Sequence, residues 1–152
     1  MFKLTKNAVL ALTMMVSAPV ALPSVAMADD FPLVSGDYTS VSGIYVQDGG
    51  DVAYATFLAG EWSKQQEFAK SKGWITDYHI YANHSARNSE PNIYLTETFA
   101  RPLSGAEGEA RTKDWQAYYK RSNATLDAES GSRAKFRTLT GVSMLQELKV
   151  RK

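Results

Sequence analysis

Residues 51–83 read DVAYATFLAGEWSKQQEFAKSKGWITDYHIYAN, and this stretch decides the fold. Between residues 52 and 72, apolar side chains recur at about 3.6-residue spacing, which predicts an amphipathic helix. Asp51 is the expected N-cap, and Gly73 the glycine that ends the helix. Residues 74–83 are aromatic and β-branched and predict a strand. The predicted helix face consists of Ala55, Leu58, Trp62, Gln65 and Ala69.

Strand and helix patterns alternate through the rest of the chain. Residues 40–47 predict a first strand, and residues 93–100 a third strand that forms a hairpin with the second. A second helix is expected from Arg111, with an interruption at 130–132, a further helical segment at 133–139, and Gly141 as its end. Residues 142–150 predict the last strand. The order β-α-β-β-α-β predicts an α+β, ferredoxin-like fold, in which two helices cover one face of a four-stranded antiparallel sheet.

The first 28 residues have the layout of a secretory signal peptide. Lys3 and Lys6 precede a mostly apolar stretch, and Ala26 and Ala28 are the small residues before the expected cleavage site. Two prolines interrupt the apolar stretch, whereas a membrane-spanning helix needs about 20 apolar residues. We therefore expect a periplasmic or secreted protein without stable membrane insertion. Its parts are a signal peptide (1–28), an extended N-terminal arm (29–39) and one domain (40–152).

The composition argues against several classes of partner. Two of the 17 lysines and arginines lie in residues 1–28 and none of the 16 acids does, which leaves 15 basic and 16 acidic residues. A near-neutral chain without basic clusters argues against nucleic acid as a partner. The chain has no cysteine, so an exported form must rely on an ordinary core instead of disulfides. No motif predicts a cofactor.

Three segments together resemble a known superfamily: residues 70–73 (KSKG), 74–81 (WITDYHIY) and 92–99 (NIYLTETF). They are similar to the dimeric α/β-barrel superfamily, which includes antibiotic-biosynthesis-type monooxygenases and NIPSNAP-like proteins. The resemblance covers residues 40–150 as a pattern of elements. It implies a homodimer whose two sheets face each other, often with an apolar cavity in each protomer. The Asn, Trp and His set of haem-degrading members has no match here, so no catalytic residue is transferred.

Four residues are predicted to line a ligand site: Tyr45, His79, Tyr81 and Glu97. Strand alternation places His79 and Tyr81 on one face and Tyr78 on the other. Ile80 shares the face of Tyr78, and if Ile80 faces the helices, His79 faces the helix-free side, where it could meet Tyr45, Glu97 and Glu147. A histidine beside a carboxylate can act as a general base, so His79 is the catalytic candidate. The alternative is a structural hydrogen bond across a dimer interface.

Other titratable residues give weaker patterns. His79 and His84 would need a further ligand such as Glu90 to hold a metal ion, and no metal is predicted. Glu97 and Glu147 could form an acid–base pair, but carboxylates on strands more often pair with lysine or arginine.

Three functions are consistent with these patterns. The first is binding of a small, largely apolar molecule, in a cavity on the helix-free side of the sheet or between the sheet and the helices. The second is a cofactor-independent, monooxygenase-like activity, as the resemblance implies, with His79 as the base. The third is a structural or protein-interaction module of the cell envelope. The sequence names no substrate.

Overall fold

The structure, a computed structural model, describes residues 31–152. The predicted signal peptide and the start of the predicted arm lie outside the described residues. In chain order, the elements are β1 (Leu33–Val46), α1 (Asp51–Phe57), a π-helical segment (Leu58–Trp62), α2 (Ser63–Ser71), β2 (Asp77–Ala82), β3 (Ile93–Phe99), α3 (Gly105–Tyr119), α4 (Asn123–Arg133) and β4 (Arg137–Val150). Within residues 31–152, no helix combines the length and the hydropathy needed to cross a membrane.

The four strands form one antiparallel sheet in the order β2-β3-β1-β4. The predicted α+β class and antiparallel sheet are therefore confirmed. β2 and β3 form the predicted hairpin, with Tyr78 opposite Glu97 and His79 opposite Thr96. Directly opposed residues of an antiparallel pair project from the same face, so this register assigns each side chain to one side of the sheet.

β1 begins at Leu33, seven residues before the predicted start at residue 40. Residues 33–39, which the sequence assigned to an arm, pair with β4, and Leu33 lies opposite Val150. An irregularity between Ser35 and Tyr38 interrupts the register and accommodates Gly36. A Cβ on Gly36 would lie 2.8 Å from a carboxylate oxygen of Glu147, at the flexible end of an exposed side chain.

The first helical region continues from α1 through the π-helical segment into α2. The N-cap is Gly50, and not Asp51 as predicted. Asp51 is the first helical residue, where its negative charge interacts favourably with the helix dipole. The end matches the prediction, because Gly73 has a φ of +67° and its N–H donates to the Lys70 carbonyl at 3.0 Å. The Trp74 N–H donates to the Ala69 carbonyl at 2.9 Å, which completes a Schellman motif.

The buried face of this region differs from the predicted one. Tyr54, Leu58, Trp62 and Gln66 are buried at a spacing of four residues, whereas Ala55 is exposed. The wider turn of the π-helical segment keeps residues that are four positions apart on the same face. In an unbroken α-helix, such residues would drift progressively around the helix axis and away from the sheet.

The second helical region differs from the prediction at three points. It starts at Gly105 behind a capping box of Ser104 and Glu107, and it breaks at Lys120, which has a φ of +52°. The third difference is that the predicted helix at 133–139 gives way to β4 from Arg137 onward. Gly141, the predicted helix end, lies inside β4 beside a register irregularity. The second predicted helix is therefore two helices, α3 and α4.

The core lies between the first helical region and the centre of the sheet. Its buried members are Ile44, Val46, Tyr54, Leu58, Trp62 and Leu95. α3 and α4 bury none of their side chains fully, and they pack through half-buried contacts such as the Arg133 guanidinium 4.2 Å from the Phe57 ring centre.

β4 forms one edge of the sheet, and many of its apolar side chains are exposed. Six of them are more than half exposed: Leu139, Val142, Met144, Leu145, Leu148 and Val150. The opposite edge strand, β2, is only six residues long, whereas β4 has 14. A long apolar edge strand is a favourable place for pairing with another chain.

Candidate functional site

His79 and Tyr81 lie on the helix-free face of the sheet, in agreement with the predicted alternation. Tyr78, between them, projects to the helix side, where its ring contacts that of Trp62 at 5.5 Å between centres. The rings of His79 and Tyr81 are 5.6 Å apart, and His79 Nε2 lies 3.2 Å from Asp77 Oδ2. The side chains of this His–Asp pair are 50% and 51% exposed, so water solvates both partners.

Asp77 is also bound by groups outside this pair. The Tyr78 backbone N–H donates to its carboxylate at 3.0 Å, and Lys70 Nζ lies 3.3 Å away. These hydrogen bonds lower the pKa of Asp77, the backbone bond having the largest effect. Asp77 is thus a solvated carboxylate with several partners, as in a surface ion-pair network.

The structure does not bring Glu97 together with His79 and Tyr81. The hairpin register places Glu97 opposite Tyr78, so both side chains project towards the helices. Gln66 of α2 confirms this orientation, because its Nε2 donates to Glu97 Oε1 at 2.9 Å. The expected site of four residues is therefore divided between the two faces of the sheet.

The remaining residues singled out in the sequence are also dispersed. Tyr45 lies on β1 opposite Thr138 of β4, and β3 separates its strand from His79 on β2. Glu90 accepts a hydrogen bond from the Arg87 backbone N–H at 2.9 Å. Across residues 31–152, histidines and acids form no group of three that could hold a metal ion. Glu147 forms an ion pair with Lys149 of the same strand at 3.2 Å, and both side chains are about half exposed.

Glu97 occupies a partly desolvated position between the sheet and α2. Burial raises its pKa above the ordinary value of 4.5, and the hydrogen bond from Gln66 partly opposes this shift. Gln66 is only 6% exposed, so its amide would lack a strong acceptor without Glu97. A carboxyl held in this way offers hydrogen-bonding capacity to any molecule that enters the space beside it.

That space is a cavity of about 230 Å³ between the sheet and the helical layer. Its lining is mainly apolar with a few polar groups: Ser40, Trp74, Ile75, Glu97, Phe99, Arg101, Leu103, Arg111 and Met144. An adjacent space of about 310 Å³ shares Trp74, Ile75, Glu97 and Arg111 with it and adds Gln66 and Trp115. We call the two together the interlayer cavity. Apolar walls with a few convergent polar groups are typical of small-molecule sites.

The two arginines of the interlayer cavity differ in their partners. Arg101 forms a bidentate ion pair with Glu107, and these bonds contribute to lowering the pKa of Glu107 to about 2. The Arg111 guanidinium lies 5.3 Å from the Trp74 ring centre and donates one hydrogen bond of 3.4 Å to the Trp74 carbonyl. Among the described residues, no carboxylate lies within ion-pair distance of Arg111.

Sequence reasoning did not identify Gln66, Trp74, Arg101 or Arg111 as site residues. The sequence contains one local signal of this site, namely that Gln66 is a polar residue within an amphipathic helix. Its burial, however, depends on the π-helical segment, and the arginines come from the β3–α3 connection and α3. Their convergence depends on tertiary packing and has no short motif.

No protein-family model matches this chain, and no curated protein or solved structure is detectably similar to it.

Proposed function

We propose that this protein binds a small, largely apolar molecule in the interlayer cavity. The observation that supports the proposal best is the partly buried Gln66–Glu97 hydrogen bond beside walls formed by Trp74, Ile75 and Phe99. Buried polar groups in an otherwise apolar cavity orient a ligand, while the walls supply the hydrophobic contact. The cavity lies at or just below the small end of typical ligand sites of about 300–1,000 Å³, so the proposed ligand is about the size of one aromatic ring.

Saturation-transfer NMR with benzyl alcohol tests this function. Ser40 lines the cavity from β1, so Ser40→Phe should fill the space and abolish transfer to the probe. Ser143→Phe is the matched control, because Ser143 lies on β4 opposite Val41, on the helix-free face. We expect transfer with the wild type and Ser143→Phe only. Equal transfer with Ser40→Phe, in a variant whose circular dichroism matches the wild type, would contradict the site.

For the architecture, we propose a ferredoxin-like arrangement in an exported protein. The order β2-β3-β1-β4, with helical regions between β1 and β2 and between β3 and β4, supports the ferredoxin-like assignment. The sequence of residues 1–28 supports export. Amino-terminal sequencing of the exported protein should begin at Asp29, and a chain that retains Met1 would contradict cleavage.

A second proposal is that the protein self-associates as a homodimer. Two features support it: within residues 31–152, no helix covers the sheet face that bears His79 and Tyr81, and β4 has six apolar side chains that are more than half exposed. Light scattering after size-exclusion chromatography should give twice the chain mass, and Leu145→Lys should reduce it. A monomer at about 100 μM, where even weak dimers form, would contradict this proposal.

The structure offers less support for a monooxygenase-like enzyme. His79 Nε2 lies 3.2 Å from the Asp77 carboxylate, and both side chains are half exposed on the helix-free face. The desolvated carboxyl, Glu97, lies on the other face and has no histidine beside it in the lining of the interlayer cavity. We therefore prefer ligand binding to catalysis as the proposed function.

A further inference from the structure

We infer that the interlayer cavity selects a monocarboxylate with an apolar body, and that Arg111 binds its carboxylate. This inference rests on the proposed function, because it names the ligand class of the same cavity. Arg111 lines both parts of the interlayer cavity and also the open groove next to it, which Thr112 and Asn123 border. Its guanidinium is therefore shared by both parts of the cavity and by the groove that opens to solvent.

The unused hydrogen-bonding capacity of Arg111 is the first argument. A guanidinium has five N–H donors, and the structure gives one bond, of 3.4 Å, from Arg111 Nη1 to the Trp74 carbonyl. Two other arginines near the helices have carboxylate partners: Arg101 pairs with Glu107, and Arg121 with Glu61 and Glu129.

The orientation of Arg111 is the second argument. Its guanidinium lies over the Trp74 ring, 5.3 Å from the ring centre, and this cation–π contact restricts the planar group before any ligand arrives. A planar fork fixed in this way matches the two oxygens of a carboxylate, which it can bind through two parallel N–H···O bonds. Binding of a ligand of this class would therefore cost little conformational entropy of the Arg111 side chain.

The other groups of the cavity narrow the ligand class. Ile75, Phe99 and Met144 provide apolar walls for the rest of the molecule, and the space that they line, about 230 Å³, accommodates about one ring. Arg101 is already neutralised by Glu107, so one guanidinium remains for one negative charge. Glu97 would repel every negative charge of a ligand, so one carboxylate is offset by Arg111 while further charges, as in phosphate esters and dicarboxylates, are disfavoured.

Isothermal titration with benzoate and benzamide tests the inference, since the two share a ring and differ in charge at neutral pH. We expect benzoate to bind the wild type about tenfold more tightly than benzamide, as a charge-assisted bidentate pair adds affinity. Arg111→Gln should reduce this preference to less than about twofold, while Arg111→Lys keeps part of it. Arg87→Gln, in the exposed hairpin loop, is the control for loss of one positive charge and should retain the full preference.

The outcomes distinguish failure of the ligand class from failure of the proposed function. If benzamide binds as tightly as benzoate, or if Arg111→Gln retains the benzoate preference, the ligand class is wrong while the proposed function stands. If neither probe binds at about 10 mM, both the ligand class and the proposed function are wrong. Circular dichroism and thermal unfolding of each variant ensure that lost binding reflects Arg111 and not lost folding.

Discussion

Replacing Gln66 by leucine tests whether this one amide stabilises the buried carboxyl of Glu97. Gln66 is 6% exposed and donates to Glu97 at 2.9 Å. A hydrogen bond to a charged group contributes about 1.5–3 kcal/mol, and one between neutral groups about 0.5–1.5 kcal/mol. We therefore expect Gln66→Leu to lower the free energy of unfolding by about 1.5–3 kcal/mol where Glu97 is ionised, and by about 0.5–1.5 kcal/mol where Glu97 is protonated.

The pH dependence of this effect has a defined sign. Burial raises the pKa of Glu97 in the folded state above the ordinary value of 4.5. A carboxyl of this kind stabilises the fold below its unfolded-state pKa and loses that contribution as pH rises through its folded-state pKa. Glu97→Gln removes the titration, so this variant should gain stability relative to the wild type between acid and neutral pH. Glu109→Gln, on the exposed side of α3, controls for the loss of a surface charge.

Urea unfolding followed by tryptophan fluorescence, at about pH 4 and about pH 7.5, measures these differences. The double variant Gln66→Leu/Glu97→Leu removes both polar partners together, so its stability should lie close to that of the wild type. The reasoning is refuted if Gln66→Leu loses nothing at neutral pH, or if the double variant is less stable than Gln66→Leu alone.

Three further substitutions test individual contacts by the same unfolding assay. Asn92→Ala removes two hydrogen bonds between the Asn92 side chain and the Val46 backbone: one from the Val46 N–H at 2.8 Å and one to the Val46 carbonyl at 2.9 Å. The free energy of unfolding should fall by about 2 kcal/mol, and a loss below about 0.5 kcal/mol would contradict both bonds. Gly73→Ala places a side chain at a φ of +67° and should cost about 1 kcal/mol, whereas a gain would contradict the left-handed helix end. Glu107→Gln removes a carboxylate with a pKa lowered from 4.5 to about 2 by Arg101 and Ser104. Its destabilising effect should therefore be complete at neutral pH and disappear as pH falls from 4.5 towards 2, and an effect independent of pH would contradict the pairing.

Local sequence signals predicted those parts of the fold that depend on neighbouring residues. The glycine end of α2 and the β2–β3 hairpin follow from Gly73 and from two aromatic, β-branched runs. The capping box of Ser104 and Glu107 was also present in the sequence as a Ser-x-x-Glu motif, and it marks the true start of α3. The break at Lys120 had no such signal, because a lysine rarely adopts a positive φ.

The candidate site depended on information that is not local. The alternation of β2 correctly separated His79 from Tyr78, but only the hairpin register shows that Glu97 projects with Tyr78. A shift of one residue in that register would have moved Glu97 to the helix-free face. The burial of Gln66 similarly depends on the π-helical segment, which alters the face presented by all later residues of the helical region.

The most direct test of the interlayer cavity is a proton–nitrogen correlation spectrum titrated with benzyl alcohol. Binding at the proposed site should shift the indole N–H of Trp74 and the side-chain amide of Gln66 in a saturable way, because both residues line the cavity. The indole of Trp62, buried in the core, should change little. Saturable shifts confined to His79 and Tyr81 would move the site to the helix-free face, and no saturable shift would contradict ligand binding by this protein.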